Sequence, residues 1–308
     1  VRPGAAPHGE RGARAARGAR RVSLPAMAFP VAAGVAAALV APAEVAPPSR
    51  PSLEALLARL DKVASLYRDG ALKFACDETI TYTPAGQRPE VHRLEYIYVY
   101  DDRRDLIDYR TERRRPRPGV EPKPVDLGRS DLPVFVSRAY SWVFTFERKK
   151  QPLHRFTMLD DAKALGRQAH VIRFEPIPPY QEDINDWFGT AWIDRESLQV
   201  LRVEAMKADQ LAEKQRFERH RAAPRPEGAQ DRTTFYSFSE IATDFTVEKN
   251  GMRFPGLVTI QRQKREIKEA NWYKYDRQLA GYTVTQRYDD YQFFGVRTVA
   301  EIRAITAE

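Results

Sequence analysis

Apolar residues recur at helical spacing directly after a proline-rich stretch near position 50. Ser52 carries the kind of side chain that caps a helix N-terminus, and Asp69-Gly70 supplies an ending. Between these ends the apolar stripe consists of Leu53, Leu56, Leu57, Leu60, Val63, Ala64 and Tyr67. This spacing of i, i+3, i+4 and i+7 predicts an amphipathic helix with one buried face.

After this helix the pattern changes to a period of two. Residues 71–82, 91–100 and 106–113 are predicted as strands, with a turn at 83–86 between the first two. One face of the second strand is apolar and aromatic: Leu94, Tyr96, Tyr98 and Tyr100. The three strands predict an antiparallel meander.

A second helix is predicted at about 132–146. Pro133 lies in its first turn, where the missing N–H costs nothing. Its apolar stripe is Val136, Tyr140, Val143 and Phe144. The basic, proline-rich stretch before it, near 113–130, is predicted as an inserted loop. A patch for an anionic partner at Arg113–Arg117 is the alternative, but nearby glutamates dilute the charge, which favours a solvated loop.

The middle of the chain predicts two hairpins. Residues 153–159 and 167–174 pair across an acidic connection. In the second hairpin, 188–193 and 198–206 flank the polar turn Asp194-Arg195-Glu196-Ser197. Aromatic and β-branched residues on both sides of a short turn are typical of a pleated, half-buried surface.

Three long strands are predicted toward the C-terminal end, at 233–247, 253–267 and 282–294. Lys249-Asn250-Gly251 is predicted to be the turn between the first two, because asparagine and glycine accept positive φ. The charged stretch near 208–232 is predicted as an insertion, with a short helix at about 210–220 that has little apolar face. The whole pattern predicts an α+β protein with one antiparallel sheet and two amphipathic helices.

The N-terminal segment has the features of a targeting signal. Arginines precede an apolar run that ends in Ala41-Pro42-Ala43, a small-residue cleavage site. We therefore predict a signal peptide over 1–43, cleaved after Ala43, and a linker over 44–51, which implies a periplasmic or secreted protein. An uncleaved N-terminal membrane anchor is the alternative.

Net charge does not indicate a nucleic-acid partner. The formal charge is +8, but residues 1–43 hold six arginines against one glutamate and so carry +5 of it. The part predicted to fold is therefore close to balanced, and no nucleic-acid partner is expected.

No constellation of catalytic or metal-binding residues stands out. Cys76 is the only cysteine and is predicted to be a small buried apolar residue. The four histidines of the predicted domain are scattered singly: His92, His154, His170 and His220. Neighbouring carboxylates such as Asp160-Asp161 and Asp289-Asp290 are predicted at turns or strand ends. We expect no metal, no cofactor and no enzymatic activity.

The aromatic residues are the remaining signal. They either fill the space between sheet and helices or line an apolar cavity that two helices leave uncovered. The residues predicted to contact a hydrophobic ligand in the second case are Tyr96, Tyr98, Trp142, Phe174, Trp192, Leu201, Tyr236 and Tyr282.

Three stretches together resemble a known family. The first strand pattern is Gly166, Arg167, Ala169, Val171, Ile172 and Phe174, followed by Gly189, Trp192, Ile193 and Asp194. With the closing stretch at 288–296, these patterns resemble the LolA-like superfamily of periplasmic lipoprotein carriers. The resemblance implies a single domain over 52–308, with a curved antiparallel sheet forming an incomplete β-barrel. Its helices would cover the concave face and hold acyl chains or another apolar group there.

The leading hypothesis is a non-enzymatic cell-envelope protein that binds a hydrophobic ligand, either a lipid or a lipoprotein acyl chain, and works with a membrane-associated partner protein. The first alternative is a structural or protein-interaction domain of the envelope with a fully packed barrel. The second is a hydrolase that uses a carboxylate pair.

Overall fold

The computed structural model describes residues 50–71, 73–100, 106–112, 139–182, 184–225, 230–270 and 273–294. The helices are α1 (Leu53–Gly70), α2 (Ala208–Ala222) and two 3₁₀ helices, Ala139–Phe146 and Gln151–Leu153. The first seven strands are β1 (Phe74–Pro84), β2 (Glu90–Tyr100), β3 (Leu106–Glu112), β4 (His154–Ala164), β5 (Arg167–Pro176), β6 (Trp187–Asp194) and β7 (Val200–Lys207). The others are β8 (Arg232–Asp244), β9 (Val247–Lys249), β10 (Met252–Phe254), β11 (Leu257–Ala270) and β12 (Tyr273–Phe293). The predicted signal peptide, nearly all of the predicted linker and the predicted insertion near 113–130 lie outside the described residues.

Ten strands form one open antiparallel sheet in the order β3-β2-β1-β12-β11-β8-β7-β6-β5-β4. The sheet consists of two meanders, one of β1–β3 and one of β4–β8 with β11 and β12. Strand β12 pairs with β1 and so joins the two meanders. The α+β class and the curved, unclosed sheet predicted from the sequence are therefore confirmed.

Helix α1 begins and ends as the sequence predicts. The backbone N–H of Ala55 donates to the Ser52 hydroxyl, 3.2 Å away, and so satisfies one of the amides that a helix start leaves unpaired. The buried face of α1 includes Leu56, Leu60 and Tyr67. The Tyr67 hydroxyl reaches the Arg253 carbonyl at 2.6 Å and thereby ties α1 to the short β9–β10 hairpin.

Replacing Ser52 with alanine is expected to lower the free energy of unfolding by about 1 kcal/mol, because the cap is lost. Ser65→Ala is the matched control on an exposed position of the same helix. It should leave stability unchanged or raise it slightly, since alanine favours the helix interior. Chemical denaturation of the two variants measures the difference, and equal losses would contradict the capping role.

The second predicted helix is wrong in type over its described part. Ala139–Phe146 is a 3₁₀ helix, and 132–138 lie outside the described residues. Its sequence AYSWVFTF is rich in aromatic and β-branched residues, which have low helix propensity. Trp142, Val143, Phe144 and Phe146 are all buried, so the segment is covered on more than the single predicted face.

The hairpins are confirmed with two corrections. Strand β4 continues through the acidic stretch with a bulge and turns only at Leu165-Gly166. Asn250 and Gly251 form the predicted positive-φ turn, but they connect the short strands β9 and β10 and not the long ones. Pro255 has no N–H for a sheet ladder and lies in the break between β10 and β11, just before the chain returns to the main sheet.

The two faces of the sheet have different cover. The inner face, defined here as the one that packs against α1 and the 3₁₀ helix 139–146, holds the main core. The outer face is the opposite one, and α2 packs on it through Phe217, which contacts Tyr236 and Phe238 of β8. The short helix predicted within the insertion near 208–232 is thus a packed element of the domain.

A buried ion pair lies within the inner face. Arg110 of β3 donates to Glu78 of β1 through Nε at 2.6 Å and Nη2 at 3.3 Å, and both residues are at most 5% exposed. Gln286 donates to the same carboxylate at 3.0 Å, and the Arg110 guanidinium lies 4.2 Å from the ring centroid of Tyr96. Burial lowers the pKa of Arg110, but the charge and hydrogen bonds of Glu78, together with Tyr96 and Tyr288, raise it by more, so the guanidinium stays charged.

Candidate functional site

Four of the eight predicted ligand-binding residues lie together in the main core. Tyr96, Tyr98 and Phe174 are 2%, 1% and 1% exposed, and Trp142 is 7% exposed. The Trp142 indole donates to Thr243 at 3.0 Å and meets the Trp187 ring edge-on at 5.2 Å. In this structure these side chains pack against one another and against the helices.

The other four lie elsewhere. Tyr282 is only partly buried at the margin of the main core, with its ring 5.4 Å from that of Tyr82. Trp192 and Leu201 belong to a small cluster with Ala164 and Ala169 on the outer face. Tyr236 lies under α2 on the same face. The structure therefore does not bring the eight residues into one site.

The larger of the two cavities described is a groove on the outer face, with a volume of about 770 Å³. It runs across β5, β6, β7, β8 and β11 and is bounded by α2. Four of the lining residues stand in one row of the sheet register: Arg173, Glu204, Ala242 and Thr259. Thr190 of β6 completes the row, because it pairs with Arg173 on one side and with Glu204 on the other.

Small side chains keep this groove open. Thr190, Ala242 and Thr259 stand where larger residues would fill the outer surface of the sheet. On one side α2 and its aromatic cluster cover the sheet, and on the other Trp192 packs over Leu201. The apolar part of the groove comes from Phe188, Met206 and Leu211.

Charged side chains line the same groove. Arg202 lies 2.6 Å from Asp244 and 2.8 Å from Glu204, and Lys214 of α2 pairs with Glu240. Burial lowers the pKa of Arg202, but hydrogen bonds to the two carboxylates outweigh it and raise the pKa. Arg173 is exposed, and no carboxylate in the described ranges pairs with it. The groove thus offers both signs of charge beside apolar surface.

The nearest approach to a catalytic constellation is a cluster at the end of α2. The His220 Nδ1 lies 2.7 Å from the Tyr236 hydroxyl, and its Nε2 lies 3.3 Å from Glu269. Burial raises the pKa of Tyr236, so its hydroxyl stays protonated. Burial alone would raise the pKa of Glu269 too, but hydrogen bonds from Arg232 and His220 lower it. The cluster fastens α2 to β8 and β11.

The partners of His220 in this cluster are 16 and 49 positions away in sequence, so no local spacing indicates them. One sequence-based expectation is wrong: the acidic pairs Asp160-Asp161 and Asp289-Asp290 lie at bulges inside β4 and β12, not at turns or strand ends.

The cysteine thiol of the domain also has a structural role. Cys76 is buried, as predicted, and burial raises the pKa of its thiol. Within the described residues no cluster of His, Cys, Asp and Glu has the geometry to hold a metal ion. No helix of the described chain combines the length and apolarity that crossing a bilayer requires.

Neither a protein-family model nor a curated protein matches the chain. Among solved structures, a LolA superfamily protein from Nitrosomonas europaea is 10% identical with a TM-score of 0.36, over 80% of this chain and 96% of that one. A DUF1329 family protein from Desulfovibrio piger is 9% identical with a TM-score of 0.40, over 80% and 94%. A domain assigned to outer membrane lipoprotein sorting from Vibrio parahaemolyticus is 10% identical with a TM-score of 0.35, over 80% and 97%. The resemblance indicated by the sequence motifs is thus also a similarity to LolA-like structures.

Proposed function

We propose that this protein is a non-enzymatic binding protein of the cell envelope and that its outer groove holds an extended polypeptide segment. The observation that carries the proposal is the contrast between the two faces. The predicted aromatic residues of the inner face are packed, whereas the outer groove is open and lined by charged and apolar groups. The envelope location follows from the predicted signal peptide.

The dimensions of the groove fit such a segment. Five adjacent strands span roughly 19 Å at the usual spacing. An extended chain advances about 3.3 Å per residue, so about six residues fit across the sheet. Apolar side chains of the segment would contact Phe188, Met206 and Leu211, while its charged side chains would pair with Arg173, Glu204 or Asp244.

A substitution in the middle of the groove tests this proposal. Thr190→Phe should fill the floor and weaken binding of a groove-bound peptide by at least about tenfold, since a bulky ring would displace its contacts. Binding is measured by fluorescence anisotropy, with peptides about six residues long selected against the protein from a random library.

Thr81→Phe is the matched control, because Thr81 is also a half-buried threonine on the outer face and lies on β1, two strands beyond β11, where the groove ends. It should leave peptide affinity unchanged. Selected peptides that bind both variants equally well, or a library from which no peptide is enriched, would contradict the proposal. Matching melting temperatures of the two variants show that the domain remains folded.

A hydrophobic ligand on the inner face is the second candidate. It is favoured by the aromatic side chains gathered there, Tyr96, Tyr98, Trp142 and Phe174, with Tyr282 at the margin. A lipid or lipoprotein acyl chain would have to enter between these residues and α1, which requires the helix to move away. Native mass spectrometry after gentle purification distinguishes the two, because only the second predicts co-purified lipid.

A further inference from the structure

One end of the sheet extends beyond the main core as a three-stranded ribbon of β8, β11 and β12. On its inner face the register places Phe235 opposite Glu266, which is opposite Arg277. In the neighbouring rows Lys268 is opposite Tyr275, and Lys264 is opposite Leu279. We call the following set the aromatic-basic face: Phe235, Lys264, Lys268, Tyr273, Tyr275 and Arg277.

The aromatic residues of this face are unusually exposed. Phe235 is 64% exposed, Tyr273 39% and Tyr275 37%. The two tyrosine rings stack with an interplanar angle of 12° and a centroid distance of 5.9 Å. Large aromatic groups gathered on one exposed face usually mark an interaction surface.

The charges on the two faces of the ribbon are arranged differently. On its outer face Arg265 pairs with Asp276, and Arg232 with Glu269. On the aromatic-basic face, Lys264, Lys268 and Arg277 have no carboxylate within ion-pair distance among the described residues, although Glu266 lies between them. Three cations beside one acid leave an excess positive charge there.

We propose that the aromatic-basic face docks on an anionic lipid surface. Phe235 supplies an apolar group that can enter the interface, and the two tyrosines have the amphipathic rings that favour headgroup depth. The three cations lie on adjacent strands of the same face and would contact lipid phosphates together. This surface is separate from the outer groove, because it lies on the opposite face of the sheet.

Vesicle co-sedimentation of the full chain tests this surface. Wild-type protein should bind vesicles of phosphatidylglycerol mixed with phosphatidylcholine much more tightly than vesicles of phosphatidylcholine alone. The triple variant K264Q/K268Q/R277Q should bind the anionic vesicles about a hundredfold more weakly, given the usual contribution of each cation near such a surface. Phe235→Ser should weaken binding about tenfold.

The matched control is R59Q/R148Q/K163Q, which removes the same charge from three exposed positions elsewhere. It should change affinity by no more than about twofold, because distant exposed charges are screened. Both triple variants keep the arginine-rich N-terminal segment, so its contribution cancels.

Equal weakening by the two triple variants, or wild-type binding by K264Q/K268Q/R277Q, would overturn the proposal. So would binding of wild-type protein to single-stranded DNA but not to the anionic vesicles. The peptide assay with Thr190→Phe contains no lipid, so the two proposals can fail separately.

Discussion

Arg110→Met is expected to lower the free energy of unfolding by about 3–5 kcal/mol, the largest effect of any single substitution considered for this protein. The reason is the carboxylate left behind: Glu78 is 1% exposed and would lose both hydrogen bonds from the guanidinium. Gln286 remains as a donor at 3.0 Å but carries no charge. Equilibrium denaturation in urea at neutral pH measures the loss.

Two controls isolate the cause. The double variant E78L/R110M should recover most of the lost stability, because no uncompensated charge stays buried. Arg216→Met removes an exposed partner of Glu213 in α2 and should cost less than about 0.5 kcal/mol. If the double variant were as unstable as Arg110→Met, the loss would come from side-chain packing and not from the buried charge.

Gly189→Ala is expected to lower the free energy of unfolding by about 3 kcal/mol. A Cβ at this position would overlap the ring of Phe174 and stand 2.6 Å from the carbonyl oxygen of Glu204, so a backbone segment has to shift. Phe174 lies on the neighbouring strand β5, and its ring packs over Gly189, so no room is left for a side chain at position 189. Thermal and chemical unfolding of the variant measure the cost.

Gly70→Ala is the control for this substitution. Gly70 lies at the end of α1, has no atom within 4 Å of the position a Cβ would take, and does not have a positive φ. Alanine there should leave stability unchanged or raise it by up to about 1 kcal/mol, because the unfolded chain loses freedom. If Gly189→Ala were as stable as Gly70→Ala, the crowding at Gly189 would be relieved by a small movement and the prediction would be wrong.

Much of the fold is predictable because local patterns and tertiary contacts agree. Ser52 caps α1 where the sequence indicates, and Asn250-Gly251 form a positive-φ turn. The sequence pattern does not predict the first part of β12 as a strand, because Lys274 and Asp276 are typical of a polar loop. Both are satisfied only by partners brought in by folding: Lys274 by carbonyls at the end of α2, and Asp276 by Arg265.

The candidate groove could not be predicted from the sequence. Thr190, Glu204 and Ala242 resemble ordinary solvent-facing positions of separate strands, and only the register across successive pairs aligns them. The sequence does not predict the position of α2 on the outer face either. Phe217 is the one buried residue of this helix, and a single apolar residue does not indicate a packing surface. The buried ion pair of Glu78 and Arg110 could not be predicted for a related reason. The two residues lie on the same face of β1 and β3, and this follows only from the pairing of both strands with β2 between them.

Site-specific photo-cross-linking tests the binding role of the outer groove most directly. A photoreactive phenylalanine analogue replaces Phe188 in the groove, Thr81 on the outer face of β1, or Tyr282 on the inner face. Each protein is then irradiated with a peptide selected for binding. Cross-linking from position 188 and not from 81 or 282 is the predicted result. Cross-linking from 282 without any from 188 would place the ligand on the inner face and contradict the proposed function.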